Sequence, residues 1–216
     1  MSYDPLTTVD EFKIWQAKPQ GQTASDAVIG QLIAALSEEI GRYCDRDNLG
    51  LVLPYTERWA PVGTQPYYRD PEYVLRAYPV TALTSVAIGS TAVPVITDLT
   101  GQTSGALLDS WESNPRRVSL VGYRVWPCTG PLVVQYQAGY WGANAPSGTK
   151  PTVPTGLKQV LHQWINEVLV SRISTGQKSQ TLAGQTVTYE LGEKFGMSPR
   201  TKAMLEPYRN RVPLYH

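Results

Sequence analysis

Apolar side chains recur with helical spacing near both ends of the sequence, and this pattern predicts four helices. A short first helix is expected over residues 8–16, because Thr8 and Glu11 have the spacing of a capping box. The second helix follows Ser25, the expected N-cap, and we expect it to end at Gly50. Its apolar face consists of Ile29, Leu32, Ile33, Leu36, Ile40 and Tyr43.

A third helix is predicted from about residue 154 to about residue 174, after a loop rich in proline and glycine over residues 142–156. Its apolar positions are Leu157, Val160, Leu161, Trp164, Val168 and Leu169. The fourth helix starts where Ser198 can cap it and Pro199 takes the first helical position. Between these two helices, residues 175–196 are polar and spaced by glycines, which is compatible with a hairpin or a mobile loop.

From residue 51 to residue 137 the pattern changes to short runs of Val, Leu and Tyr separated by Pro and Gly. Five runs predict strands: EYVLRAYPV, LTSVAIG, TAVPVIT, RRVSLVG and PLVVQYQAG. The second and third of these should form a hairpin. We therefore predict an α+β fold, in which residues 1–50 and 151–216 form a helical core with a C-terminal tail. Residues 51–150 would be a β-rich module inserted between the second and third helices.

The composition is that of an ordinary globular protein, with 216 residues, 42% of them hydrophobic and 17% charged. A net charge of +1 argues against a protein that grips nucleic acid by neutralising phosphates. Two cysteines, Cys44 and Cys128, are too few for a disulfide framework. The N-terminal residues lack the pattern of a signal peptide, and no run predicts a membrane span, so we expect synthesis in the cytoplasm.

Residues that could support catalysis or metal binding are sparse. His162 lies beside the apolar stripe of the third helix and is interpreted as a structural histidine, and His216 as a solvated one. Ser147 and Lys150 have the spacing of penicillin-recognising enzymes, but prolines place them in a loop instead of a helix. Asp109 and Glu112 could form an acid/base pair, although a solvated face is the simpler interpretation.

One further motif bears on ligand binding. Asp45 and Asp47 begin a calcium-loop pattern that Leu49 and Thr56 then break, because neither supplies the required carboxylate. No phosphate loop, dinucleotide motif or zinc spacing is present. The sequence therefore predicts no enzyme, no cofactor and no metal.

The strand over residues 133–138 ends in a corner, Gly139-Tyr140-Trp141-Gly142. Exposed aromatics at such a corner could stack on a sugar or contact a partner protein, and buried ones could cover the core. The chain has thirteen tyrosines and six tryptophans but only two phenylalanines, a skew towards aromatics with a polar group, which favours interfaces. We expect Tyr140 and Trp141 to lie at an interface between modules or between subunits.

The order of these motifs resembles the head–tail connector, or adaptor, proteins of tailed bacteriophages. The second helix matches the family pattern at Ile29, Leu32, Ile33, Ala34, Ala35, Ile40, Tyr43 and Arg46. The strand with Tyr136, Ala138, Gly139 and Tyr140 is similar to a Tyr-x-Ala-Gly-Tyr motif of the family, and Val153-Pro154 then leads into a helix. The close at Leu205, Pro207, Tyr208 and Arg209 also resembles the family, in its long variant with a β insertion.

This resemblance implies a structural virion protein without enzymatic activity, located in the neck between the portal and the tail. Such proteins bind the portal ring after DNA packaging and form a ring of about twelve copies, which extends the DNA channel. The implied partners are the portal protein, copies of the same chain, a stopper or tail completion protein, and double-stranded DNA that passes without sequence-specific binding. No membrane partner is implied.

Three surfaces are expected to make these contacts. The tail combines cationic and apolar residues that have no evident local partner, a pattern typical of peptide docking, and we expect it to bind the portal. Its residues are Arg209, Arg211, Val212, Pro213, Leu214 and Tyr215. The polar loop over residues 175–196, with Lys178 and Lys194, is expected to face the channel or the stopper. The alternative hypothesis is a carbohydrate-binding or host-recognition β module, which requires several exposed aromatics on one sheet face.

Overall fold

The computed structural model describes most of the chain, and the ranges are residues 4–17, 25–59, 72–98, 104–109, 115–123, 130–146, 148–149, 151–173, 179–182, 185–188 and 197–210. The fold is α+β, as predicted. The helices are α1 (Val9–Trp15), α2 (Asp26–Tyr43), α3 (Thr155–Ile173) and α4 (Pro199–Leu205), and a 3-10 turn (Glu206–Tyr208) follows α4. The strands are β1 (Leu53–Trp59), β2 (Glu72–Val74), β3 (Val80–Ile88), β4 (Thr91–Val93), β5 (Val95–Ile96), β6 (Gly105–Leu108), β7 (Arg117–Val121), β8 (Leu132–Ala138), β9 (Ser179–Leu182) and β10 (Gln185–Thr188).

The described residues form two compact units. The helical unit contains those up to Asp47, together with Gly142–Asn144 and Val153–Arg209. The β unit contains those of Asn48–Trp141 and Ala145–Thr152, together with Asn210. All four helices and the antiparallel β9–β10 pair belong to the helical unit.

The ends of α2 differ from the sequence expectation. Ser25 is the N-cap residue, but its side chain makes no capping hydrogen bond because its backbone has already turned helical (φ −106°, ψ 0°). The helix stops at Tyr43 and not at Gly50. Asp45 takes the left-handed conformation (φ 52°), and the amides of Asp45 and Arg46 donate to the carbonyls of Arg42 and Gly41. This Schellman motif, usually built on glycine, ends α2 on an aspartate.

The other predicted helix starts are confirmed. Thr8 and Glu11 form a complete capping box at α1, each side chain accepting from the backbone of the other. The Ser198 hydroxyl accepts from the amide of Thr201 at the start of α4. The predicted apolar positions of α3 are buried except Leu169, which is partly exposed, and Ile165 is fully buried as well.

The β unit contains two four-stranded sheets, with strand orders β1-β8-β3-β4 and β2-β7-β6-β5. All neighbouring strands are antiparallel except β5 and β6, which are parallel. Residues of both sheets share one buried core, which includes Val86, Leu120, Leu132, Val134 and Tyr136. The predicted hairpin is present as β3–β4, with Gly89 at φ 60° in its turn.

Two proline positions divide segments that the sequence predicts as continuous strands. The run EYVLRAYPV is interrupted at residues 75–79 between β2 and β3, where Pro79 follows Tyr78 in a cis peptide. Pro94 likewise separates β4 from β5, and its carbonyl accepts from the amide of Ala106. Because proline has no amide hydrogen to donate, β4 ends before Pro94, and β3 begins only after Pro79.

The strands β1 and β6 are absent from the sequence prediction. In β1 the partly buried positions alternate with exposed ones, and Glu57 occupies one of the partly buried positions. The Tyr136 hydroxyl and the Arg76 amide both donate to Oε1 of Glu57. A carboxylate inside the strand pattern is therefore stabilised by donors that lie far away in the sequence.

Candidate functional site

The corner after β8 depends on a glycine. Gly139 has φ +136°, and a Cβ there would lie 2.4 Å from the carbonyl oxygen of Leu51 and 2.8 Å from that of Asn48. Its amide donates to the carbonyl of Pro79 at 2.9 Å, and the Tyr140 amide donates to the carbonyl of Asn48 at 3.0 Å. The backbone therefore passes too close to residues 48–51 for any side chain at position 139.

The two aromatics of the corner have different exposures. Tyr140 is only 3% exposed, whereas Trp141 is partly exposed. The Trp141 amide donates to the carbonyl of Pro151 at 2.8 Å, and Trp141 forms an isolated parallel bridge with Thr152. Tyr140 thus has little surface left for a second subunit, and Trp141 retains some. The assignment of this pair to an interface stays a prediction.

Of the predicted tail residues, the structure describes Arg209 alone. Its guanidinium lies 5.4 Å from the ring centroid of Tyr43 and 3.5 Å from the carboxylate of Glu206. The expectation that Arg209 has no local partner is therefore wrong, because this arginine is held against the end of α2. The remaining tail residues, Arg211, Val212, Pro213, Leu214 and Tyr215, lie outside the described residues.

The loop residues Lys178 and Lys194 also lie outside the described residues. Between them, β9 and β10 pair in antiparallel register from Gln185 opposite Leu182 to Thr188 opposite Ser179. Of the two interpretations of this region, the hairpin is confirmed for these eight residues.

A chain of polar side chains links α1 to α3, and the sequence did not reveal it. The Thr7 hydroxyl donates to Oε2 of Glu11 at 2.6 Å and lies 2.9 Å from Nε2 of His162. Lys158 donates to both carboxylate oxygens of Glu11, at 2.8 and 2.9 Å. Because α1 and α3 are about 150 residues apart, only the capping box and the position of His162 beside the apolar stripe gave any hint of these residues.

Burial shifts the pKa values of His162 and Glu11 in this chain of polar side chains. His162 is 5% exposed, and burial lowers its pKa below 6.5, with Glu11 raising the pKa and Lys158 lowering it further. Burial alone would raise the pKa of Glu11. The hydrogen bonds from Lys158 and Thr7, together with the Lys158 charge, nevertheless bring it below 4.5. At neutral pH Glu11 is therefore a carboxylate and His162 carries an uncharged imidazole.

The interpretation of His162 as a structural residue fits its surroundings. The ring centroids of Phe12 and Trp15 both lie 5.6 Å from that of His162. One turn further along α3, Asn166 accepts from Nε2 of Gln16 at 3.0 Å. The histidine therefore forms part of the attachment of α1 to α3.

The remaining candidates for chemistry are not brought together in the described residues. Asp109 follows β6 and is partly buried, but Glu112, Ser147 and Lys150 lie outside the described part of the chain. Within that part, no group of three or more His, Cys, Asp or Glu side chains could hold a metal ion. A search of the same residues finds no helix with the length and apolar character needed to span a membrane.

The aromatic residues of the β unit bear on the sugar-binding alternative. Tyr55, Trp59, Tyr73 and Tyr123 pack against the shared core. Tyr55 stacks on Tyr136 with the ring centroids 5.6 Å apart, and the ring centroids of Trp59 and Tyr73 are 5.4 Å apart. On the opposite face, β1 exposes Pro54, Thr56 and Arg58, and β8 exposes Gln135 and Gln137. These four aromatics therefore pack towards the core, and the opposite face of β1 and β8 carries none of them.

Comparisons with known proteins give a likeness at the level of the fold. No family model matches the sequence, and no curated protein matches it. Among solved structures, a chain described as "Virion of native gene transfer agent (GTA) particle" is similar, with 16% identity and a TM-score of 0.50. A chain described as "Neck of empty GTA particle computed with C6 symmetry" is also 16% identical, with a TM-score of 0.43. Both alignments cover 97% of this chain and 92% of the other.

Proposed function

We propose that this protein is a structural component of a phage-like virion, and specifically a head–tail adaptor in its neck. The observation that carries the proposal is the likeness of fold to a chain of the gene transfer agent virion, which extends over 97% of this chain. A likeness of such length includes both the helices and the strands, so it does not depend on one common motif. The order of the connector-like motifs in the sequence supports the same role.

In this role the protein binds the portal ring after packaging and assembles into a dodecameric ring. The ring extends the DNA channel and provides a platform for the stopper or tail. A net charge of +1 suits a channel wall that DNA must leave again, because a strongly basic wall would hold the phosphates. The helical unit is the connector core in this proposal, the β unit is a module inserted into it, and neither carries out a reaction.

The proposed contacts are distributed over three surfaces. The tail residues Arg211–Tyr215, together with Arg209, bind the portal. Tyr140 and Trp141 contribute to an interface between modules or subunits. The loop with Lys178 and Lys194 faces the channel or the stopper. Arg209 is already held by Tyr43 and Glu206 on the helical unit, which makes it a fixed point from which the tail extends.

Portal binding is tested by mixing the purified protein with the portal of its own phage and measuring assembly by native mass spectrometry and negative-stain electron microscopy. The proposal expects a complex with about twelve copies added to one portal ring. A protein that remains a monomer and ignores the portal would contradict the adaptor role. Glycan-array binding by the isolated protein would instead support the carbohydrate-binding alternative.

The tail is tested by a chain that ends at Asn210, with Arg209→Ala as a second variant. Leu205 is fully buried and precedes the deletion, so the truncated chain should keep its helical circular dichroism and melting temperature. It should nevertheless fail to attach to the portal. Normal attachment by a folded, truncated chain would refute the role of the tail while leaving the adaptor proposal intact.

A further inference from the structure

The tautomer of His162 follows from its neighbours. Thr7 has one hydroxyl hydrogen and gives it to the Glu11 carboxylate, at 2.6 Å. The Thr7 oxygen can then only accept from the ring, so Nε2 of His162 must carry the hydrogen at the 2.9 Å contact. The lone pair of the neutral ring is left on Nδ1, which is buried and has no hydrogen-bond partner among the described residues.

A proton gained by His162 therefore enters an unfavourable place. It would bind at Nδ1, where no described acceptor receives it, on a ring enclosed by Phe12 and Trp15. Among the described residues, Glu11 on α1 is the one anion that acts on the ring, and Lys158 on α3 already neutralises it through two hydrogen bonds. Lys13 and Asp26 form a second ion pair, which joins α1 to α2. A buried imidazolium is then poorly compensated and favours exposure to water.

We propose that His162 is an acid-sensitive latch for α1. Its neutral ring fastens α1 to α3, and its protonation releases the C-terminal half of α1 together with Trp15. Because α1 has only seven residues, it is too short to persist as a helix without these contacts. The latch is the set Thr7, Glu11 and His162.

The direction of the pH dependence follows from the lowered pKa of His162. The opened state, with an ordinary histidine, binds more protons than the closed state as the pH falls below 6.5. The stabilisation of α1 is therefore complete above pH 6.5 and decreases from there down to the pKa of the closed state. Between pH 7.5 and pH 5.5 the equilibrium constant for the opening of α1 rises by up to about tenfold. Glu11 weakens the attachment further only below pH 4.5.

Amide hydrogen exchange on the full chain tests the latch, with protection factors corrected for intrinsic exchange at pH 7.5 and pH 5.5. The amides of Phe12 and Gln16, which bond within α1 and at its end, should lose up to about tenfold protection at the lower pH. Amides of β8 should keep theirs. Unchanged protection of the α1 amides in the wild-type protein would overturn the proposal.

Two variants identify the responsible histidine. In His162→Gln the side-chain amide can still donate to Thr7 but cannot be protonated, so the protection of α1 should no longer depend on pH. The matched control is His216→Gln, which removes the only other histidine of the chain and should behave as the wild type. A His162→Gln protein that retains the wild-type pH dependence would overturn the latch.

The wild-type protein alone provides a second measurement, should His162→Gln not fold. Long-range ¹H–¹⁵N spectra of the imidazole should show the Nε2–H tautomer at pH 7.5 and a pKa below 6.5 for His162. An Nδ1–H tautomer, or a pKa at or above 6.5, would contradict the proposal.

Discussion

The ammonium of Lys13 lies 2.6 Å from Oδ1 and 2.7 Å from Oδ2 of Asp26, and the lysine side chain is only 3% exposed. Asp26 is in the first turn of α2, where a negative charge also interacts favourably with the helix dipole. The pair therefore links the end of α1 to the start of α2 at a point where one partner is almost completely removed from water.

Removal of the negative charge in Asp26→Asn should destabilise the protein. The buried Lys13 ammonium would lose its counter-ion, and we expect a loss of about 1–3 kcal/mol in the free energy of unfolding, reduced from that of a fully buried pair because Asp26 is partly exposed. Urea denaturation measures the change. The matched control is Glu38→Gln, whose partner Arg42 is exposed, and it should change stability by less than about 0.5 kcal/mol. Equal effects of the two variants would contradict the importance of burial here.

Gly139→Ala should be strongly destabilising. The new Cβ would overlap the carbonyl oxygens of Leu51 and Asn48, and φ +136° disfavours any side chain. We expect a loss of about 2–5 kcal/mol in the free energy of unfolding. Gly148→Ala is the control, because Gly148 has φ +86° but no atom of the described residues lies within 4 Å of its Cβ position. Gly148→Ala should lose about 1 kcal/mol in the free energy of unfolding. Thermal melts of the two variants then separate the steric overlap at position 139 from the backbone strain that both positions share.

Gly30→Ala should stabilise α2. Gly30 lies within the helix, and among the described residues a Cβ there would meet only Cγ2 of Val9, at an ordinary contact distance of 3.8 Å. Alanine reduces the conformational freedom of the unfolded chain, so we expect a gain of about 0.5–1 kcal/mol. The reverse change at an exposed position of the same helix, Ala34→Gly, should cost about 1 kcal/mol. A destabilised Gly30→Ala protein would contradict this expectation, because it would mean that the added methyl group is not accommodated beside Val9.

Cys44 should react slowly with thiol reagents. Burial raises its pKa to about 11, with the Glu206 charge raising it and Arg46 and Arg209 lowering it. The thiolate fraction is therefore very small at pH 8. In a Cys128→Ser chain, a chromogenic disulfide reagent should label Cys44 only after denaturation. Rapid labelling of the native protein at pH 8 would contradict this burial.

The same shift predicts a loss of stability in alkali. The unfolded thiol ionises near pH 9.0 and the folded one near pH 11, so the folded state binds more protons between these values. The contribution of the Cys44 thiol to the free energy of unfolding is fully present below pH 9 and decreases as the pH rises towards 11. Urea denaturation at pH 8 and pH 10 measures the loss, and Cys44→Ala, used as the control, should show a smaller pH dependence.

Features with local causes were predictable from the sequence. The caps at Thr8 and Ser198 depend on residues three positions apart, and both form as expected. The extent of α3 and the β3–β4 hairpin likewise follow from periodicity and turn residues. In contrast, the left-handed Asp45 that ends α2 could not be distinguished from the later Gly50, because aspartate takes that conformation less often than glycine.

Features that depend on distant partners were not predictable. Glu57 obscures the alternation of β1, and its place in the strand depends on Tyr136, 79 residues later. The contact of Thr7 with His162 spans 155 residues, so no window of the sequence contains it. The order β1-β8-β3-β4 is equally non-local, and the motifs indicate the strands without indicating which of them are neighbours.

The central position of β8 in its sheet has a consequence for synthesis of the chain on the ribosome. The strands β1 and β3 are both made before β8, yet each of them pairs with β8 and not with the other. Until Leu132–Ala138 has emerged, the β3–β4 hairpin is the only pairing of this sheet that the nascent chain can form, and the backbone amides of β1 stay bound to water. Completion of this sheet is thus a late, cooperative event, during which chaperones can shield the apolar faces of the waiting strands.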